Sequence, residues 1–397
     1  MQKANGMDLN KNIVKIREEF PVLKYKTYMN SAAHGPALRR VWDAVQDFWT
    51  FRMNEDPDPL IPDAKGEAAR LIHADEDEIT WCSRVTQGFN MISSIMDLKR
   101  GDNIVVTDLG YPSNVFVWLP FREKGVEIRR IKNKDGRIGI EDFEKAIDDD
   151  TRVVSISRIE WTSGLRHDMR AISAIAHEHG ALVVDDAYQA VGPTNVDVHN
   201  DGVDFLLVGS GKWLCCPPLI GIFYIRKDLI DRLEPTYRFY NQVEEAFRGL
   251  PPWEHPSSDN IVSYDKPLLR TADKFYRGCV DESAVWGFHA ALEYFNELGG
   301  RQREERVLKL SGYLIDGLRE LGVRVNTPLE PKERGGLVTY DTGSHELNKE
   351  SHRKLKDESV IVALRYSGGV GGIRVSTNFF NTEEDIDRLL EIQKSLL

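Results

Sequence analysis

The sequence predicts an α/β fold with a largely parallel sheet, followed by a smaller α+β domain. Three observations predict it. Between Glu78 and Arg226, short runs rich in β-branched residues alternate with helical stretches, the signature of a layered α/β structure. Several of these runs are apolar throughout, as in strands buried on both faces. From Asp281 the order changes to two long helices and then to short strands mixed with helices.

Taken in order, polar helices are expected around Lys11–Phe20 and Leu38–Met53. The strands follow at Ile79–Cys82, Asn103–Thr107, Val126–Ile131, Arg152–Ser157, Ala181–Asp185, Val203–Val208 and Leu219–Ile225, a seven-stranded sheet. Helices are expected at Gln87–Leu98, Ile140–Ile147 and Met169–His179. The last carries Met169, Ile172, Ile175 and Ala176 on one face, with Arg170, His177 and Glu178 off it. Pro235–Tyr276 has no clear period, and a run of that kind is usually functional or interfacial. Asp281–Leu298 and Gln302–Leu321 read as long helices. After them come strands Val323–Asn326 and Gly336–Asp341, helix His345–Glu358, strands Val360–Ala363 and Ile373–Thr377, and a last helix opening at Thr382. Thr382 with Asp385 has the spacing of a capping box. The expected organisation is an N-terminal segment (1–35) packing on the small domain or a partner, a large domain (36–280) and a small C-terminal domain (281–397).

The 397 residues are 41% apolar and 29% charged, ordinary for a globular protein. A net charge of −11 argues against a nucleic-acid partner, whose footprint is a basic face. Four cysteines in a chain of this length make neither a disulfide framework nor a zinc spacing, so a reducing cytoplasmic compartment is expected and no metal is assigned. The first twenty residues are polar, unlike a signal peptide. No apolar run approaches the roughly 20 residues of a membrane span, so no membrane association is expected.

Three features sit at the ends of predicted strands. Asp185 and Asp186 close one strand, and an acid there faces the crevice where α/β sheets bind ligands. Adjacent carboxylates point to opposite sides, so one can serve a site while the other pairs elsewhere. Gly209-Ser210-Gly211-Lys212-Trp213 follows the next strand, and burial lowers a lysine's pKa and frees its amine as a nucleophile. It is no phosphate-binding Walker loop, because Leu206 and Trp213 stand where that motif needs Gly and Ser or Thr. Ser83-Arg84-Val85-Thr86-Gln87-Gly88 follows a strand and opens a helix, where free N–H groups and a hydroxyl suit a phosphate. Each alone has a bland reading: solvated acids, a snorkelling lysine, an ordinary helix cap.

In this order and spacing the three resemble the class V aminotransferase family of pyridoxal 5'-phosphate (PLP) enzymes. The resemblance runs from about Tyr28 to the C-terminus. It is strongest over Ser163–Arg226 and Gly371–Leu390, through Asp186, Gln189, Lys212 and the stretch Gly372-Ile-Arg374-Val-Ser-Thr-Asn-Phe-Phe-Asn381-Thr-Glu-Glu-Asp385. It implies the PLP-dependent transferase fold (fold type I). It implies that Lys212 binds PLP covalently and moves protons at the substrate Cα. Asp186 would then pair with the pyridine nitrogen, Gln189 with the ring oxygen, and Tyr111 would stack on the ring. The backbone of Val85 and the Thr86 hydroxyl would hold the phosphate. The family's common S-x-H-K reads Gly209-Ser210-Gly211-Lys212 here, leaving Ser210 as the replacement hydroxyl. The family's cross-subunit Gly-Thr pair reads Gly278-Cys279, so Cys279 is assigned to the cofactor of a homodimer with shared active sites. Arg374 is the implied ligand of the substrate carboxylate, with Asn30 and His34 on the substrate side. Arg365 is expected on a solvated face, and the Gly368–Gly372 run is expected to be mobile.

The resemblance implies an enzyme acting at the amino group and Cα of an amino acid. Transamination is placed first. Epimerisation and C–S or other β-elimination, as in the isopenicillin N epimerase-like branch, are the alternatives, and a non-catalytic subunit is a remote one. Cysteine desulfurases of the family carry a nucleophilic Cys before the carboxylate-binding Arg; Ala363–Gly372 has none.

Overall fold

The computed structural model describes residues 7–55, 60–243, 267–276, 278 and 280–396. The N-terminal segment holds a short helix, Ile13–Glu18, and strand β1 (Thr27–Tyr28). It packs on the small domain. Met29 is buried in the small domain's core, Arg17 pairs with Asp385 at 2.8 Å, and the Phe20 and Phe380 rings lie 4.5 Å apart.

The large sheet contains β2 (Ile79–Cys82), β3 (Asn103–Thr107), β4 (Glu127–Ile131), β5 (Thr151–Ser157), β6 (Leu182–Asp186), β7 (Phe205–Gly209) and β8 (Gly221–Ile225). Their order is β2-β8-β7-β6-β5-β3-β4, with only β8 antiparallel to its neighbours. The central strands are buried on both faces, which is why they read as unbroken apolar runs. At the edge, β4 carries Glu127, Arg129 and Arg130, charges that discourage further pairing. Helix Met169–Glu178 begins where Asp168 accepts from the Ala171 N–H at 3.1 Å, and it buries Met169, Ile172 and Ala176.

Helix Glu282–Leu298, placed with the small domain from sequence, buries Val285, Phe288 and Leu292 in the core of the large layer. The next helix, Gly300–Glu320, sends Val307 into that core and Leu310 and Leu314 into the small one. We place the change of unit inside this helix.

The small domain contains β9 (Arg324–Val325), β10 (Leu337–Asp341), β11 (Val360–Ile361), β12 (Ala363–Ser367) and β13 (Val370–Ser376). Four of these form an antiparallel sheet, β12-β13-β10-β9, while β11 pairs in parallel with β1. The single strand expected at Val360–Ala363 is therefore two, parted at Val362 and serving different partners. The glycine run is a second correction. It is a tight hairpin turn between β12 and β13, with Gly368 and Gly369 at positive φ. Its tip is tied down: Asn133 Nδ2 donates to the Gly368 carbonyl at 2.9 Å. The Thr382–Asp385 capping box forms as expected. Most of the irregular Pro235–Tyr276 run lies outside the described residues.

Candidate active site

The parallel register of β5, β6 and β7 brings Ser157, Asp186 and the strand end at Gly209 together at the carboxyl edge of the sheet. Asp186 is buried there. Its Oδ1 accepts from the Tyr188 N–H at 3.1 Å, and its Oδ2 accepts from Asn114 Nδ2 at 3.3 Å and the Ser157 hydroxyl at 3.4 Å. Burial raises its pKa to about 6, against the pull of the Lys212 charge. Asp185 turns the other way and is paired with Arg158 at 2.6 Å. The strand alternation expected from sequence thus separates the two acids.

Lys212 follows β7 across a short turn. Its Nζ lies 3.9 Å from the centre of the Tyr188 ring and 5.4 Å from that of Tyr111. Burial lowers the amine's pKa to about 8; the nearby Asp186 opposes that fall, and Arg374 and Arg365 add to it. The pair Asp186 and Lys212 therefore carries one raised and one lowered pKa in the same crevice, a pattern typical of functional sites.

Helix Val85–Ile95 points its first turn at this crevice. Val85 is buried, and the Thr86 hydroxyl lies 3.1 Å from that of Ser113. The first N–H groups of a helix have no partner within it and attract anions. Ser210 is not part of this cradle. It is fully buried and its hydroxyl donates to the Pro217 carbonyl, so its proton is already committed. The space beside Gly209 is filled by Tyr188: a Cβ on Gly209 would come within 2.5 Å of that ring. Cys279 lies outside the described residues.

On the small-domain side, Arg374 of β13 enters the same crevice. It is only 2% exposed, and its Nη1 donates to the Trp161 carbonyl at 2.8 Å. Its Nε is buried without a partner, as is Nε1 of Trp161, whose ring lies 5.9 Å away. Among the described residues Arg374 meets no carboxylate. Burial, then the Arg365 charge, lowers its pKa to about 9. The Tyr111 ring stands edge-on to Trp161 at 5.5 Å.

The N-terminal segment closes one side. The Gly35 N–H donates to the Gly211 carbonyl at 3.0 Å, and the Ala32 N–H donates to the Ser376 hydroxyl at 3.1 Å. Asn30 keeps a buried Oδ1 without a partner, whereas His34 is exposed. Gln189 accepts from Trp213 Nε1 at 2.7 Å and donates to the Ala32 carbonyl at 3.3 Å. A primary amide has two N–H groups, so one remains for a ligand.

The structure therefore assembles Lys212, Asp186, Gln189, Tyr111, Val85, Thr86 and Arg374 around one crevice. It leaves Ser210 committed elsewhere. Sequence reasoning passed over Asn114, Ser157, Trp161 and Tyr188. Ser157 had a usable signal: it ends the strand that pairs with the strand of Asp186. Trp161 and Tyr188 enter through loops and Asn114 through the short helix Ser113–Phe116, and only the tertiary fold aims them.

A family model described as Aminotransferase class-V matches residues 27–389. The chain belongs to the class V aminotransferase family. Among its relatives is a probable cysteine desulfurase of Methanothermobacter thermautotrophicus, 26% identical over 95% of this chain and 96% of that one. An uncharacterized aminotransferase of Bacillus subtilis, YcbU, is 26% identical over 94% and 95%. Among solved structures, the apo cysteine desulfurase of Thermococcus onnurineus superposes with a TM-score of 0.83 at 23% identity, covering 96% of this chain and 97% of that one. This family places the chain among PLP-dependent enzymes.

The crevice fits that cofactor. Lys212 offers an amine of lowered pKa, and Asp186 offers a carboxylate whose burial is costly until a cation faces it. Gln189 offers a spare N–H, and the first turn of helix Val85–Ile95, with Thr86 and Ser113, offers an anion cradle. These residues would hold PLP, with Tyr111 and Tyr188 bordering the amine.

Proposed function

We propose that this enzyme is an aminotransferase acting on α-amino acids. One observation carries the reading: Arg374 is a buried guanidinium with no acid partner among the described residues, in the same crevice as a half-buried lysine whose amine has a lowered pKa. An amino acid supplies both missing complements. Its carboxylate meets Arg374, whose planar fork suits a bidentate pair. Its amino end lies toward Lys212. A lysine of pKa about 8 is in good part neutral at weakly alkaline pH, as a nucleophile and proton acceptor must be. Lys212 takes the proton from Cα and returns it at a new position. Asp186, anchored by Tyr188 N–H, Asn114 and Ser157, presents a fixed negative charge below. When bound, PLP supplies the electron sink that stabilises negative charge at Cα.

The sulfur chemistry of a desulfurase has no support in the described residues. Cys82, Cys215 and Cys216 are buried, and burial pushes their thiols up. The expected homodimer is kept as part of the proposal; exposed Trp42, Phe116 and Leu219 offer apolar surface for a second copy. A second reading, C–S or other β-elimination, is favoured by the relative named as a probable cysteine desulfurase.

Products separate the two. The purified enzyme is mixed with single amino acids, without an oxo-acid acceptor. An aminotransferase releases at most one equivalent of oxo acid per site and stops. A lyase goes on releasing ammonia and oxo acid. Arg374→Gln should raise KM for the amino acid by about 10- to 100-fold, the loss of a charge-assisted pair. An unchanged KM would remove Arg374 from the site.

A further inference from the structure

The hairpin that delivers Arg374 delivers a second arginine. Arg365 on β12 stands opposite Gly372 on β13, and Arg374 stands opposite Ala363. Cross-strand partners share a face, and residues two apart on a strand share a face. Arg365 and Arg374 are thus diagonal neighbours on the face turned to the large domain, where such residues lie about 7–8 Å apart. The opposite face, with Leu364, Ile373 and Val375, builds the small core. The surface reading of Arg365 from sequence is therefore corrected: it is half-buried on the crevice side.

Like Arg374, Arg365 meets no carboxylate among the described residues. Among the described residues its one side-chain hydrogen bond is from Nη1 to the neighbouring Leu364 carbonyl at 2.8 Å. Its charge reaches both Arg374 and Lys212, and contributes after burial to the lowered pKa of each. The hairpin is held in place at its far end. The Gly368 carbonyl accepts from Asn133, and the Ser367 hydroxyl reaches the Asp108 carbonyl at 3.5 Å, beside the loop that carries Tyr111. Two unpaired guanidinium groups on one fixed face repel each other. Such an arrangement is stabilised by an anion with two carboxylates, one for each.

We propose that Arg365 selects the substrate, and that the amino acids and oxo acids this enzyme takes are dicarboxylic, of the aspartate and glutamate class. Arg374 holds the α-carboxylate and Arg365 the distal one. This deepens the aminotransferase reading and rests on it.

The test is the binding of non-reacting acids to the holoenzyme by titration calorimetry, with glutarate, succinate and butyrate as probes. The expected result is glutarate or succinate binding at least tenfold tighter than butyrate, since a second charge-assisted pair is gained. In Arg365→Gln that preference should fall to within twofold, with butyrate affinity kept; Arg365→Lys should retain part of it. Retained butyrate binding also shows that the variant is folded. Equal affinities of all three acids for the wild type would overturn the proposal, as would a preference untouched by Arg365→Gln. If butyrate binding survives Arg374→Gln unchanged, the carboxylate site itself is misplaced and the aminotransferase reading falls with it.

Discussion

Asp186→Asn in the cofactor-free protein tests the electrostatics of the site most directly. Asp186 is 5% exposed, and burial lifts its pKa from 3.8 to about 6. A group whose folded pKa is raised favours the folded state fully only below its unfolded value, and that benefit is lost as pH rises through the folded value. The displacement is worth about 3 kcal/mol against folding at pH 7.5, and about half of that at pH 5. An asparagine keeps the acceptor for the Tyr188 N–H and carries no charge. The variant should therefore be more stable than the wild type by about 2–3 kcal/mol at pH 7.5, with the gap narrowing by about 1.5 kcal/mol at pH 5. Urea denaturation of both cofactor-free proteins at the two pH values measures this. Added PLP should reverse the order, because ligand stabilisation follows affinity and the carboxylate belongs to the proposed binding site. If the two cofactor-free proteins keep the same gap from pH 5 to 7.5, Asp186 is not a buried ionised group and the reasoning fails.

Two further predictions follow from neighbouring groups. Because Lys212 is lowered to about 8, the rate at which cofactor-free protein captures PLP should climb with pH and level off above about 8. Arg374→Gln removes one of the charges that depress the amine, so the same rise should move to higher pH; an unmoved profile in a stopped-flow absorbance series would contradict the electrostatic coupling. Gly209→Ala puts a methyl within 2.5 Å of the Tyr188 ring and should cost about 1–3 kcal/mol in thermal unfolding. Tyr188→Ala in the same chain should recover most of that loss, and a purely additive pair would show that the two residues do not compete for space.

Much of the large domain was legible because its signals are local. The strands of the sheet end within a few residues of their predicted bounds, since fully apolar runs between turn residues admit few alternatives. Asp185 and Asp186 were expected to diverge from strand alternation alone, and they do. The hairpin of β12 and β13 was less legible. Five residues from Gly368 to Gly372 include four glycines, a composition that fits a loose loop equally well. Two of them make the turn and two continue the strand, a distinction set by pairing with β12 and by Asn133, far away in the chain. Arg365 was misjudged for the same reason, because its orientation depends on that pairing.

Ser210 marks another limit. A hydroxyl two residues before Lys212 suits a phosphate as a pattern, but the chain folds back so that the Pro217 carbonyl accepts its hydrogen bond. Tyr188 shows the converse: nothing in its local sequence says that its ring fills the space left by a glycine two strands' length away. By itself the sequence determined the order of strands and helices, the positions of Lys212, Asp186 and Gln189 at and after the strand ends, and the family to which their spacing points. All of these depend on residue type and interval along the chain. The tertiary structure alone decided which hydroxyls and cations face the crevice. Arg374 meets the Trp161 carbonyl, and the Gly35 N–H meets the Gly211 carbonyl, across separations of more than a hundred residues. Contacts of that kind form only when packing and strand pairing bring distant segments together, and no local interval encodes them.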